Sequence, residues 1–227
     1  SLEHWQESFH TVAELFGERF ILIAELDGKI VSSLLCGPAP IVVNEAEVTH
    51  ASVGAVGTLP ECRNQGCAGA MMTQCVKLLR EEGICASSLW PFSYEYYRKF
   101  GWEVGAEVRS YSAKGEVFAE LGDASDARPA TDDDFAGMKD LYRAAIDAHN
   151  CRTVRSDEWW CRIARLPKKL EMITKPGGRG VVVAERSGAV FGYAVYDFGA
   201  DDTRRWIDVK ELVCGDEKTK RDLLALI

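Results

Sequence analysis

The sequence predicts an α/β chain with mixed sheets, laid out as two helix-and-hairpin modules in tandem. Three observations carry this reading. Residues 20–26 and 29–35 are apolar runs joined by Asp27-Gly28, a pair that supplies the positive backbone angles of a tight hairpin turn. Residues 181–185 and 190–196 repeat the arrangement around Arg186-Ser187-Gly188-Ala189. Between the two, the stretch from Ser52 to Arg80 reads as a strand, a glycine-containing loop and a helix.

In chain order, Trp5, Phe9, Val12 and Phe16 place an apolar stripe on a helix over residues 2–16. The first hairpin follows, and Pro38 and Pro40 interrupt it. Residues 41–43 and 48–56 give further strand, which ends near Thr58 because Pro60 has no amide to donate to a sheet. After the loop, Met72, Val76 and Leu79 recur at helical spacing up to Gly83, a stop signal. Residues 86–90 form a short strand ended by Pro91, residues 94–100 a short helix closed by Gly101, and residues 102–107 with 109–112 a last strand or hairpin.

Between Lys114 and Pro129 the pattern fades, which places a boundary near residue 125 and divides the chain into modules 1–125 and 126–227. The second opens with a short strand at Arg128-Pro129-Ala130, a Thr or Asp cap, and a helix through Ala148 striped by Met138, Leu141, Tyr142, Ala145 and Ile146. Trp159, Ile163 and Leu166 mark another helix, stopped at Pro167. After the second hairpin come a strand over residues 206–213 and a helix from Lys218.

Composition narrows the function. A chain of 227 residues with 47% hydrophobic content has enough apolar material for packed cores. A net charge of -8 argues against a general nucleic-acid binder and suits a cationic partner. The eight cysteines show no Cys-x-x-Cys pair or zinc-finger spacing, so free thiols in a reducing compartment are expected and no metal site. No apolar run reaches the roughly 20 residues of a membrane span, so a soluble cytoplasmic protein with no membrane partner is the expectation.

The loop carries the chemistry. A helix start exposes unpaired amides and the positive end of the helix dipole, and small residues there let a polyphosphate approach the backbone. Arg63-Asn64-Gln65-Gly66-Cys67-Ala68-Gly69 supplies them. The spacing is neither the P-loop nor the dinucleotide fingerprint. Cys67, at the helix start, is either a thiol of lowered pKa or a small residue the loop tolerates.

The Arg63-x-x-Gly66-x-Ala68 pattern resembles the pyrophosphate loop of the GNAT superfamily of acyl-CoA-dependent N-acyltransferases. With Val56-Gly57-Thr58-Leu59-Pro60 before it and Tyr97-Arg98-Lys99-Phe100-Gly101-Trp102 after it, the chain looks like the Eis (enhanced intracellular survival) family of acetyltransferases. That resemblance implies tandem GNAT-like folds, the second degenerate and incomplete. Where the second loop belongs, Gly215-Asp216-Glu217 offers acids that repel a pyrophosphate, so one site per chain is expected. The resemblance also implies a homo-oligomer, a hexamer in the family. It further implies a third, sterol-carrier-like domain ending in an active-site carboxylate, which lies beyond this sequence.

By the same resemblance, acetyl-CoA is the co-substrate and the acceptor is a primary amine, on an aminoglycoside or polyamine type of small molecule or on a protein lysine. Backbone groups of Val56 and Thr58 align the pantetheine arm and acyl carbonyl. Arg63 and the amides from Asn64 through Gln65, Gly66, Cys67 and Ala68 to Gly69 hold the pyrophosphate. Tyr97 is the general acid; on residues alone it reads as a core aromatic, since Tyr94, Tyr97 and Phe100 share a helical stripe, and Tyr96 takes the acid role if the register is off by one. The base stays open among Glu61, Glu95, His50 and a water chain, with no catalytic role for His149. Two other readings remain: a non-catalytic acyl-CoA-binding regulatory module, and a long-acyl transferase with a deep apolar channel.

Overall fold

Asp27 (φ 49°) and Gly28 (φ 76°) turn the chain between β1 (Ile21–Leu26) and β2 (Lys29–Pro38), the left-handed pair that a two-residue hairpin requires. The computed structural model describes residues 2–122, 124–162 and 177–227. It divides into two compact units, Ser1–Arg109 with His149–Val154, and Ser110–Ala148 with Arg155–Ile227.

In the first unit, α1 (Leu2–Phe16) precedes the hairpin. A second turn at Asn44 (φ 49°) and Glu45 (φ 66°) joins β3 (Ile41–Val43) to β4 (Ala46–Val48). Then come β5 (His50–Thr58), α2 (Cys67–Glu81), β6 (Ala86–Leu89) and α3 (Tyr94–Arg98). The main sheet runs β1-β2-β5-β6, antiparallel except for the parallel β5–β6 pair. Leu34 and Cys36 of β2 and Ala51 and Val53 of β5 point into one core with Met72 and Cys75 of α2. Each is within 3% of full burial, a contribution of about 1.5–3 kcal/mol for a side chain the size of Met72. Gly83 (φ 70°) ends α2.

The chain returns to this unit after the second has begun. β8 (Arg152–Thr153) adds to the edge of β3, with Cys151 N donating to Val42 O at 2.8 Å and Val154 N to Pro40 O at 2.7 Å. Nothing in the hydrophobic pattern announces a two-residue strand.

One expected element is not formed. Residues 102–114 carry no strand and all but Trp102 are exposed, with Val104 53%, Val108 66% and Tyr111 88% accessible. Gly105 and Ala106 offer little apolar surface to hold a strand, and Glu103, Glu107 and Arg109 pair locally, in the Arg98–Glu103 and Glu107–Arg109 ion pairs. From α4 (Gly115–Ala119) on, the chain packs with the second unit. α4 contacts α7 (Glu217–Leu226), and a Cβ at Gly122 would meet Asp222 at 2.8 Å. The units thus divide at Arg109, ahead of the composition change near residue 125.

The second unit contains β7 (Ala127–Pro129), α5 (Phe135–Asp147), α6 (Asp157–Arg162), β9 (Gly178–Arg186), β10 (Ala189–Ala200), β11 (Arg205–Cys214) and α7. Its sheet is antiparallel throughout, in the order β11-β10-β9-β7. Ser187 (φ 53°) and Gly188 (φ 80°) make the second hairpin turn. Val181 to Ala184 are all buried, so both faces of β9 are covered. Val182, Ala184, Ala194 and Tyr196 pack with Leu223 of α7. Thr131 and Asp134 form a reciprocal cap ahead of α5, and Arg128 clamps Asp134 through two bonds of 2.7 and 2.8 Å while also reaching Glu185. Of the expected helix around Trp159, Ile163, Leu166 and Pro167 lie outside the described residues.

Candidate active site

The site begins with a flaw in β5. Leu35 of β2 pairs with Gly54, but Ser33 pairs with Gly57, so an extra residue is accommodated around Ala55, whose φ is 52°. A bulge of this kind bends the strand and releases it from its neighbour. On the other side, the parallel pairing with β6 stops at Val53↔Leu89. β6 ends there, ahead of Trp90 and Pro91, and residues 54–58 of β5 have no ladder partner along that edge among the described residues.

The direction of the backbone there follows from one bond. Leu59 N donates to Val31 O at 2.9 Å, so residue 59 faces β2. Backbone groups alternate along a strand, which turns those of Val56 and Thr58 toward the opening. The Thr58 side chain is engaged elsewhere, its hydroxyl 2.8 Å from Ser32 Oγ, which also donates to Gly57 O at 2.6 Å.

After a single 3-10 turn at Pro60–Cys62, Asn64 (φ 62°) and Gly66 (φ 85°) carry the loop through left-handed conformations into α2. Gly66 is the N-cap and offers no side chain to the helix. The first helical bond is Ala70 N to Gly66 O at 2.9 Å, so the amides of Cys67, Ala68 and Gly69 have no acceptor in the helix. Arg63, Asn64 and Gln65 are exposed, and Arg63 has no ion-pair partner among the described residues. A Cβ added at Gly66 meets nothing within 4 Å, and one at Gly69 meets only Phe100 at 3.7 Å. The protein's own packing therefore does not demand small residues here; they keep the cradle open. Uncapped amides, an unpaired guanidinium and open space fit a polyphosphate. Cys67 is buried, which favours the tolerated small residue over a reactive thiol.

Tyr97 lies on α3, whose first turn is capped by Ser93 accepting from Tyr96 N at 3.2 Å. Its ring is 3% exposed and packs edge-on to Phe92 and Tyr96, with centroids 5.1 and 5.2 Å away. Burial, aided by Tyr96, raises its pKa and keeps the phenol protonated. The structure thus gives Tyr97 the core position that its helical stripe predicted, whatever else it does. Tyr96 differs in one respect: its hydroxyl is buried without a hydrogen-bond partner among the described residues.

The other sequence candidates are dispersed. Glu61 is exposed and paired with Lys29 at 3.6 Å; its own backbone amide, with Lys29, holds its carboxyl below the usual range. Glu95 and His149 are exposed. His50 is buried and hydrogen-bonded on both ring nitrogens. A groove of about 660 Å³ lies at the far end of α2, lined by Leu79, Ile84 and Trp102, and not at the loop. The bulge at Ala55 is what sequence reasoning missed; a small apolar residue within a β-rich run gives no sign of it.

The second unit repeats the strand, turn and helix at β11 and α7 with the opposite outcome. Here the N-cap is Asp216, whose carboxylate accepts from Thr219 N at 2.7 Å and is held by Arg186 at 2.6 Å. Arg186 and the Thr219 amide push its carboxyl far below the usual range. The Thr219 amide is satisfied from within, and a second anion would meet a fixed negative charge.

Comparison with known proteins agrees with this geometry. Residues 3–105 match an acetyltransferase (GNAT) domain model, and residues 151–227 match a second acetyltransferase (GNAT) domain model. Among solved structures, a GCN5-related N-acetyltransferase from Anabaena variabilis covers 100% of the chain at TM-score 0.73 and 16% identity. One from Kribbella flavida covers 99% at 0.69 and 20%, and Eis1 from Mycobacterium abscessus covers 99% at 0.61 and 19%. At such identities the likeness is one of fold, and the chain spans only 60%, 58% and 59% of those three proteins. A search of curated protein sequences finds no match. Two compact units and two matching models agree: the chain belongs to the GNAT acetyltransferases and carries two of their domains in tandem.

Proposed function

We propose that the first unit binds acetyl-CoA and transfers its acetyl group to a primary amine on a cationic acceptor, an aminoglycoside, a polyamine or a protein lysine. The observation that carries this is the contrast between the two helix starts, α2 open and preceded by an exposed Arg63, α7 closed by Asp216. In this reading Arg63 and the amides from Asn64 to Gly69 hold the pyrophosphate. The backbone groups of Val56 and Thr58 align the thioester beside the bulge, where donors aimed at the carbonyl oxygen stabilise the charge that develops there. Tyr97, kept protonated by burial, supplies the proton that the departing thiolate takes up. The net charge of -8 favours a cationic acceptor.

The test is calorimetric titration with acetyl-CoA, followed by assay of free thiol after adding a panel of polyamines and aminoglycosides. Binding with amine-dependent thiol release supports the transferase. Tight binding with no release from any amine would instead support a regulatory acyl-CoA-binding module, and no binding would reduce the loop to a helix start.

A further inference from the structure

His50, at the start of β5, is 7% exposed, yet both its ring nitrogens are engaged. Nδ1 lies 2.9 Å from the carbonyl oxygen of Ala39, and Nε2 lies 3.0 Å from Ser88 Oγ. A carbonyl oxygen only accepts, so the ring proton resides on Nδ1, and Nε2 offers its lone pair to the Ser88 hydroxyl, which donates. A hydroxyl bonded to an imidazole that is itself oriented by a third group is the arrangement that prepares a base for proton transfer.

Position gives this pair a use. Ser88 is exposed and stands opposite Ser52 in the parallel ladder, one residue before the Val53↔Leu89 pair at which β5 and β6 part. By strand alternation His50 and Ser52 share the face of β5 turned away from Ala51 and Val53, and those two belong to the core that contains Tyr97. A file of polar side chains therefore leads from a buried imidazole to the mouth of the opening, on the face opposite the phenol. Burial lowers the His50 pKa against the smaller upward effect of the Ala39 bond, which keeps the ring neutral near pH 7. No carboxylate or cation among the described residues forms an ion pair with it. The titratable group leading into β6 is the Cys85 thiol, bonded to Thr49 O at 3.2 Å.

This inference rests on the transfer reading above. We propose that Ser88 and His50 are the proton relay for the acceptor amine. As the amine nitrogen bonds to the acyl carbon, its proton passes to Ser88 Oγ while the Ser88 proton passes to His50 Nε2. The carbon–sulfur bond then breaks, and the thiolate takes a proton from Tyr97. His50 loses its extra proton to water and Tyr97 regains one from water, so the chain returns to its starting state.

The experiment is the pH dependence of kcat/KM for the amine, read by thiol release at saturating acetyl-CoA, in the natural protein and in His50→Gln, Ser88→Ala and Ser88→Thr. The expected result is a loss of about a hundredfold or more in His50→Gln, with the acid limb of the profile reduced to the ionisation of the amine itself and acetyl-CoA affinity unchanged. Ser88→Ala loses activity, and Ser88→Thr, which keeps the hydroxyl, recovers most of it. Thermal melting checks folding; should His50→Gln melt early, the surface pair Ser88→Ala and Ser88→Thr decides. A folded His50→Gln within twofold of the parent and with its acid limb intact overturns the relay, as does Ser88→Ala at parental rate. A parent that binds acetyl-CoA but releases no thiol with any amine overturns the transfer reading, and the relay with it.

Discussion

Asp216 accepts the Thr219 amide at 2.7 Å, so α7 begins with its own carboxylate seated where α2, beginning at Gly66, has none. Two helix starts, each after a strand, have thus been finished differently. The contrast turns a single substitution into a test: Gly66→Asp should place an acid in the open cradle and abolish measurable acetyl-CoA binding by calorimetry. Because Gly66 has φ 85°, Gly66→Ala is the control for strain, and it should lower the melting temperature while keeping more of the affinity. Equal affinity in the Asp and Ala variants would show that charge is not what the cradle selects.

Arg63 is exposed and has no ion-pair partner among the described residues, so removing it breaks no ion pair among them. Arg63→Ala should leave thermal stability unchanged and weaken acetyl-CoA binding by about ten- to a hundredfold, the value of a charge-assisted contact. The loss should shrink at high ionic strength, because an exposed pair is screened. A titration series in increasing salt reads both effects.

Tyr97→Phe keeps the ring in the core and deletes only the hydroxyl. Acetyl-CoA affinity should be retained and kcat should fall tenfold or more, with Tyr96→Phe as the comparison because its hydroxyl is buried without a hydrogen-bond partner among the described residues. Unchanged turnover in Tyr97→Phe together with loss in Tyr96→Phe would move the acid by one residue. Unchanged turnover in both would remove the acid from α3.

Acid should loosen the second unit through Asp134. Arg128 first, and then the Thr131 backbone and hydroxyl, hold its carboxyl below the ordinary 3.8, against an opposing effect of burial. A folded-state pKa below the unfolded one contributes stability that is complete above the unfolded value and is lost as pH falls through the folded one. Urea midpoints of the parent should therefore decline from about pH 4 downward. Asp134→Asn should be less stable than the parent at pH 7, and the gap should narrow as pH falls. A constant gap between pH 7 and 2 would mean the clamp contributes through packing alone.

Much of this was legible because the relevant residues punctuate the chain. Asp27-Gly28 and Ser187-Gly188 sit where only positive φ will close a hairpin, and both hairpins follow. Pro60, Gly66 and Gly83 bound the strand, the loop and the helix by their backbone restrictions, and the elements begin and end there. What was hidden lacks such marks. Ala55 adopts φ 52° because its neighbours on β2 hold the strand on both sides of it, and Glu45 at φ 66° occupies a turn position that Gly or Asn usually fills. The roles of Tyr96 and Tyr97 could not be separated in sequence either, since adjacent aromatics on a short helix differ only in which of them the core takes.

The return of β8 to the first unit makes the two halves inseparable by a single cut. Any polypeptide ending at residue 125 forfeits residues 149–154, stripping Val42 O and Pro40 O of their donors and Asn44 N of its acceptor, Asn150 Oδ1 at 2.7 Å. A truncation intended to isolate the first unit would instead expose a bare sheet edge, and splicing residues 149–154 back through a short linker is the rational repair.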